Sequence, residues 1–251
     1  MQSIHVPHLG PRYWAVLCLA SIFGANMGDF FARVLGLGHI RGVPFLAVAL
    51  VALLLLERRA KAATQAYYWI AIIIVRTAAT NLADLAASDM KQPRLLVMGV
   101  LAAMLISALA LWRSKSAVIP DTDRKLALPD TDSSYWLCML IAGTLGTVLG
   151  DFVAGDAKLG LTDASIVLSG VLAAIFYLGA GRLQTTALYW STIVVVRAAG
   201  TTVGDFFASN RGLGLGLRWS TALTGFVFVA ALILLRRFDA DKSIIKDVVL
   251  K

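Results

Sequence analysis

Four aspartates recur at one fixed distance from an aromatic pair. Tyr13-Trp14, Tyr68-Trp69, Tyr135-Trp136 and Tyr189-Trp190 are each followed, fifteen residues after the tryptophan, by Asp29, Asp84, Asp151 and Asp205. A small residue precedes each acid (Gly28, Ala83, Gly150, Gly204), Phe or Leu follows it, and an alanine stands three residues beyond. Two arginines, Arg76 and Arg197, lie seven residues after the tryptophan in the second and fourth copies, where Ser21 and Gly143 stand in the first and third. Carboxylates are hard oxygen ligands suited to Mg²⁺, Ca²⁺ or Mn²⁺. Four of them against two guanidiniums carry a formal charge of −2, which suits one divalent cation or two exchanged protons. The four aspartates are therefore the tentative metal ligands.

Positions i, i+4 and i+8 share a broad helical face. Arg76, Thr80 and Asp84 then lie on one face, and Arg197, Thr201 and Asp205 on another. Asn26, Asn81, Thr147 and Thr202 are the remaining polar candidates for a solute or ion pathway. The competing reading is structural: each aspartate caps a helix or pairs with an arginine, and the small-Asp-Phe corner lets helices approach closely. Asp89 and Asp156, five residues after their motif aspartates, and Asp163 suggest a solvated acidic mouth. The tryptophans suggest anchors at the membrane interface.

The elements that must carry these residues follow from composition. Of 251 residues, 59% are hydrophobic and 15% charged, with mean hydropathy +0.77. Soluble domains carry about 25% charge, so a soluble enzyme, a disordered chain and a nucleic-acid-binding domain are excluded. The fold expected is all-α: a polytopic membrane protein of eight spans at 13–33, 43–57, 67–88, 95–112, 134–154, 165–181, 188–208 and 217–235. About 20 residues cross a bilayer core, so 43–57 is short and needs its flanks or local thinning. The chain then divides into a tail at 1–12, a first half at 13–112, a linker at 113–134 with Pro-Asp-Thr-Asp twice, a second half at 135–236 and a tail at 237–251. Each half is a duplicated two-helix unit. Two spans per unit make the four repeats parallel, which puts the aspartates at one depth.

Of the 23 Lys and Arg, fourteen fall on the side of the termini, seven on the other and two inside spans. The positive-inside rule places both termini in the cytoplasm, and in a bacterium the membrane is the inner one. The partners expected are a lipid bilayer and a small solute or cation, with no nucleic acid; a homo-oligomer is compatible with the sequence. His5, His8 and His39 lie outside the spans, and Cys18 and Cys138 sit in apolar runs as small hydrophobes. No cofactor is expected. Glu57 is the single glutamate, and no nucleophile–base set exists, so an enzyme is not expected either. The Gly-rich turns at 36–38 and 212–216 follow no strand, so they serve as tight reversals rather than nucleotide loops.

Four tandem two-span units with a Tyr-Trp and a Gly-Asp-Phe element resemble a bacterial integral membrane family known as a tandem repeat of unknown function. Residues 13–236 carry the resemblance, and the second unit departs from it with Ala83-Asp84-Leu85. It implies a bacterial inner-membrane protein and brings no activity. The residues themselves support a cation transporter, proton-coupled in one version. An Asp-ring channel, or a sensor or assembly module with structural Asp/Arg pairs, are the alternatives.

Overall fold

The computed structural model describes residues 9–59, 65–116, 132–179 and 186–249, which form eight long helices. They are α1 (Pro11–Asp29), α2 (Gly38–Arg59), α3 (Gln65–Asp84), α4 (Arg94–Ser116), α5 (Ser133–Asp151), α6 (Gly160–Leu178), α7 (Thr186–Ala208) and α8 (Leu217–Val249). Among the described residues there is no strand. Pro11 opens α1 where its missing N–H costs nothing. Asp132 caps α5, its carboxylate accepting the Tyr135 N–H at 2.8 Å. The remainder of the Pro-Asp-Thr-Asp linker, 117–131, lies outside the described residues, as do residues 1–8 of the N-terminal tail.

The four odd-numbered helices close a ring in chain order, α1 on α3, α3 on α5, α5 on α7 and α7 on α1. Each even helix packs on the odd helix that follows it: α2 on α3, α4 on α5, α6 on α7, and α8 back on α1. The arrangement is a pseudo-fourfold barrel of inner helices within an outer set. Half or more of the spanning residues of α1, α3 and α5 are buried (50–56%), against 11–22% in α2, α4, α6 and α8. The outer helices present Ile40, Val48, Leu55, Ile106 and Phe226 outward, which is the polarity a bilayer requires.

Among the described residues seven helices are long and apolar enough to cross a membrane, and the chain is a polytopic membrane protein. α7 has the length but carries Arg197, Asp205 and four threonines. Its neighbours α1, α5 and α6 enclose it. Two boundaries differ from expectation. The short span at 43–57 is a 22-residue helix, because Gly38-His39-Ile40-Arg41-Gly42 joins it ahead of Pro44. The last helix runs past the expected end of its span at 235, to Val249.

The sequence pattern also hides how the first three repeats turn. Each motif aspartate is followed by five residues of π-helix, Phe30–Val34, Leu85–Asp89 and Phe152–Asp156. The backbone bonds there reach five residues, as in Leu35 N–H to Phe30 O at 3.0 Å and Ala157 N–H to Phe152 O at 2.9 Å. Gly36, Lys91 and Lys158 then adopt left-handed φ values of 69°, 53° and 59° at equivalent positions and end the helix.

Close approach of the inner helices depends on a small residue four before the motif small residue. A Cβ on Gly24 would lie 2.5 Å from Cβ of Arg76, and one on Gly146 would lie 2.5 Å from the Val194 carbonyl oxygen and 2.6 Å from Cβ of Arg197. Gly99 on α4 meets nothing within 4 Å. Gly146→Ala is therefore expected to lower the melting temperature despite the better helix propensity of alanine, by overpacking worth about 1–3 kcal/mol. Gly99→Ala is expected to hold or raise it. Thermal melts of the detergent-purified proteins check the pair; equal effects would contradict the ring packing.

Candidate functional site

Residues at four-residue steps from the tyrosines build the axis layer by layer. The first layer is a closed square of phenols. Tyr13 and Tyr68, Tyr68 and Tyr135, and Tyr13 and Tyr189 are joined at 2.8 Å, and Tyr135 and Tyr189 at 3.0 Å. Each tyrosine also packs on the tryptophan of the next helix in the ring, with centroids at 5.6–5.9 Å (Tyr13 on Trp69, Tyr68 on Trp136, Tyr135 on Trp190, Tyr189 on Trp14). The tryptophans are only 2–5% exposed. They are therefore not lipid-facing anchors, as their usual place at interfaces would suggest, but wedges in an aromatic seal.

Above the seal lie Leu17, Ile72, Met139 and Ile193, all buried. The next layer holds Ser21, Arg76, Gly143 and Arg197, and the one after it Ala25, Thr80, Thr147 and Thr201. The last is Asp29, Asp84, Asp151 and Asp205. All four aspartates line one cavity of about 410 Å³, together with Thr80, Thr147 and Thr201. Each acid is partly exposed; the Asp29 side chain is 13% accessible and that of Asp84 15%. The repeated acids thus share one axis and one depth.

The arginines lie beneath this cavity and do not line it. Arg197 is held by neutral oxygens. Its Nε donates to Thr147 Oγ1 at 2.9 Å, one terminal nitrogen donates to the Ser21 carbonyl at 2.9 Å, and the other donates to the Arg76 carbonyl at 3.1 Å and to Thr80 Oγ1. Arg76 donates one bond, to Ser21 Oγ at 3.1 Å. Among the described residues neither of these two arginines forms an ion pair with an aspartate.

Other candidates fall elsewhere. Asn26 donates to Ser220 Oγ at 2.7 Å and fixes α8 on α1. Asn81 donates to the Thr77 carbonyl at 3.0 Å beside Gly42. Thr202 donates to the Ala199 carbonyl at 3.1 Å. All three lie outside the cavity wall: Asn26 and Asn81 bond across helices, Asn81 reaching the Gly28 carbonyl at 3.4 Å, and Thr202 bonds within its own helix. The aspartates surround the cavity without converging: among the described residues no three His, Cys, Asp or Glu side chains come close enough to hold a metal ion. A bare ion bound by all four carboxylates is not what this geometry offers.

Three basic residues at the rim were not visible as site members. Arg33 lines the cavity and pairs with Asp29 at 3.4 Å, one helical turn on. Arg94, at the start of α4, lines it and pairs with Asp156 at 3.1 Å. His39, at the start of α2, meets Asp89 at 2.8 Å through Nδ1 and approaches Asp84 at 3.6 Å through Nε2. The acids of the mouth are therefore partnered, Asp156 by the Arg94 guanidinium and Asp89 by the His39 ring. With Arg94 matched to Asp156, the four motif acids share the cavity wall with Arg33 alone, a formal −3, while Arg76 and Arg197 lie beneath it. Asp-x-x-x-Arg at 29–33 was the one local signal available; the contacts of His39 and Arg94 join residues 50 and 62 apart.

A family model described as Repeat of Unknown Function (DUF347) matches residues 12–63, 134–182 and 188–241, more than half the chain. Residues 65–116, which it does not match, form the same helix, π-helical turn and helix as the first and third repeats. No curated protein matches the chain, and no solved structure does.

Two outcomes follow for stability. Tyr68→Phe removes one hydroxyl from a ring in which each bonds two others, and is expected to cost about 1–3 kcal/mol, read as a lower melting temperature with unchanged helicity by circular dichroism. Arg197→Lys is expected to destabilise nearly as much as Arg197→Ala, because one ammonium does not reproduce a fork that reaches oxygens on α1, α3 and α5. A lysine variant as stable as the parent would contradict that network.

Proposed function

The chain belongs to this family of repeats of unknown function, and from that premise we propose that it is a membrane transporter of a small cationic solute. The observation that carries the reading is the single axial cavity lined by all four repeated aspartates. Ionisable residues at membrane depth are costly and mark solute pathways when they face a shared cavity. Below the cavity, the arginine, apolar and tyrosine layers close the axis, which is the form of a pathway occluded at one end.

The preferred solute is a divalent cation that keeps its water. Mg²⁺ dehydrates reluctantly and binds through few carboxylates and several waters. Six waters at roughly 30 Å³ each fit the cavity of about 410 Å³, and carboxylates spread around the wall suit a hydrated ion better than a bare one. The negative balance of the cavity favours a cation and leaves room for proton exchange at the same acids. The excess of Lys and Arg on the side of the termini supports cytoplasmic termini and a cavity facing outward, in the inner membrane of a bacterium. Transport, not catalysis, is the activity that this residue set supports.

The test is flux in proteoliposomes. A thermal-shift screen over divalent and monovalent cations selects the ion, since a ligand bound only by the folded state raises its stability. The Asp84→Asn/Asp205→Asn protein is then expected to keep its gel-filtration profile and to lose transport at least tenfold. Undiminished flux in that variant would sink the proposal. A flat screen with an inactive parent would shift the acids to a structural role.

A further inference from the structure

We propose that Arg76 holds a small monovalent anion, of halide size, in the closed layer between the tyrosine square and the acidic cavity. The Arg76 side chain is fully buried, and its Nε and one terminal nitrogen have no hydrogen-bond partner. Its third nitrogen donates to Ser21 Oγ. The four tyrosine hydroxyls that lie toward it are occupied with one another.

The second guanidinium is close by. Arg197 donates to the Arg76 carbonyl at 3.1 Å, and all its other bonds go to neutral oxygens. Two cations thus share one layer without a carboxylate in contact. Asp84 lies eight residues up the same helix from Arg76, about 12 Å along the axis. A buried charge left uncompensated is strongly destabilising. Water would satisfy the three N–H donors on those two nitrogens but not the charge. A halide does both, accepts N–H bonds from any direction, and is small enough for a packed core.

This site is independent of the cation reading, since it uses none of the aspartates. Protein purified in sodium gluconate is melted against sodium chloride and sodium bromide at constant sodium and ionic strength. A saturable rise of several degrees with either halide is expected, retained in Asp84→Asn/Asp205→Asn and lost in Arg76→Gln. Crystals of the unaltered protein soaked in bromide should show an anomalous peak against Arg76 Nε, which keeps the test alive if Arg76→Gln does not fold. An equal response to gluconate and halide, a halide response undiminished in Arg76→Gln, or no bromide at Arg76 would each overturn the proposal.

Discussion

Everything polar inside this protein is placed by one constraint: within a bilayer, a backbone or side-chain polar group must find its partner inside the protein. The outer helices bury few polar residues, and those they bury, such as Ser220, Thr221 and Thr224, bond to α1 or to their own backbone. The inner helices turn their tyrosines, arginines and aspartates to a common axis, where the tyrosines and Arg197 are answered by neighbouring helices of the ring. The tyrosine square is the simplest case, four hydroxyls each bonded to two others. The Arg197 fork is the most demanding, reaching oxygens on three other helices. Small residues make the convergence geometrically feasible, since a Cβ on Gly24 or Gly146 would fall inside a neighbour's side chain.

Two symmetries are superposed on that axis. Aromatic seal and acidic cavity follow the fourfold repeat, so each copy contributes one tyrosine, one tryptophan and one aspartate. The layer between them is twofold, because arginine alternates with serine or glycine. The alternation has a steric reason: four guanidiniums would neither fit nor tolerate one another in a dry layer. The copies thus differ where identical residues would clash, while the ends of the axis keep the fourfold pattern. The fourth repeat also departs at its turn, where the Gly-rich segment at 212–216 replaces the π-helical turn, Leu213 N–H bonding Phe206 O at 2.7 Å.

Much of this was legible in sequence for a definite reason. A residue repeated at one spacing on parallel helices must recur at one depth, so Asp29, Asp84, Asp151 and Asp205 could be placed together before any contact was known. Thr80 and Thr201 followed from the four-residue step. Asn26, Asn81 and Thr202 were misassigned because polarity alone does not say which face of an enclosed helix looks toward the axis. The interface role expected of the tryptophans failed for a related reason, since the position of a ring along a helix does not fix whether lipid or another helix covers it. His39 and Arg94 stayed hidden because their contacts join residues far apart in sequence and their own helix starts lay outside the expected spans. The π-helical turns leave no compositional mark at all.

The central claim is that four parallel copies place their aspartates in one cavity open to one side of the membrane. Cysteine accessibility tests it most directly. In a background with Cys18→Ala and Cys138→Ala, Asp29→Cys, Asp84→Cys, Asp151→Cys and Asp205→Cys are made singly and treated with a membrane-impermeant maleimide on sealed cells or on inverted vesicles. All four are predicted to react from the outer side and none from the inner. Two reacting from each side would contradict the parallel repeat and the shared cavity together.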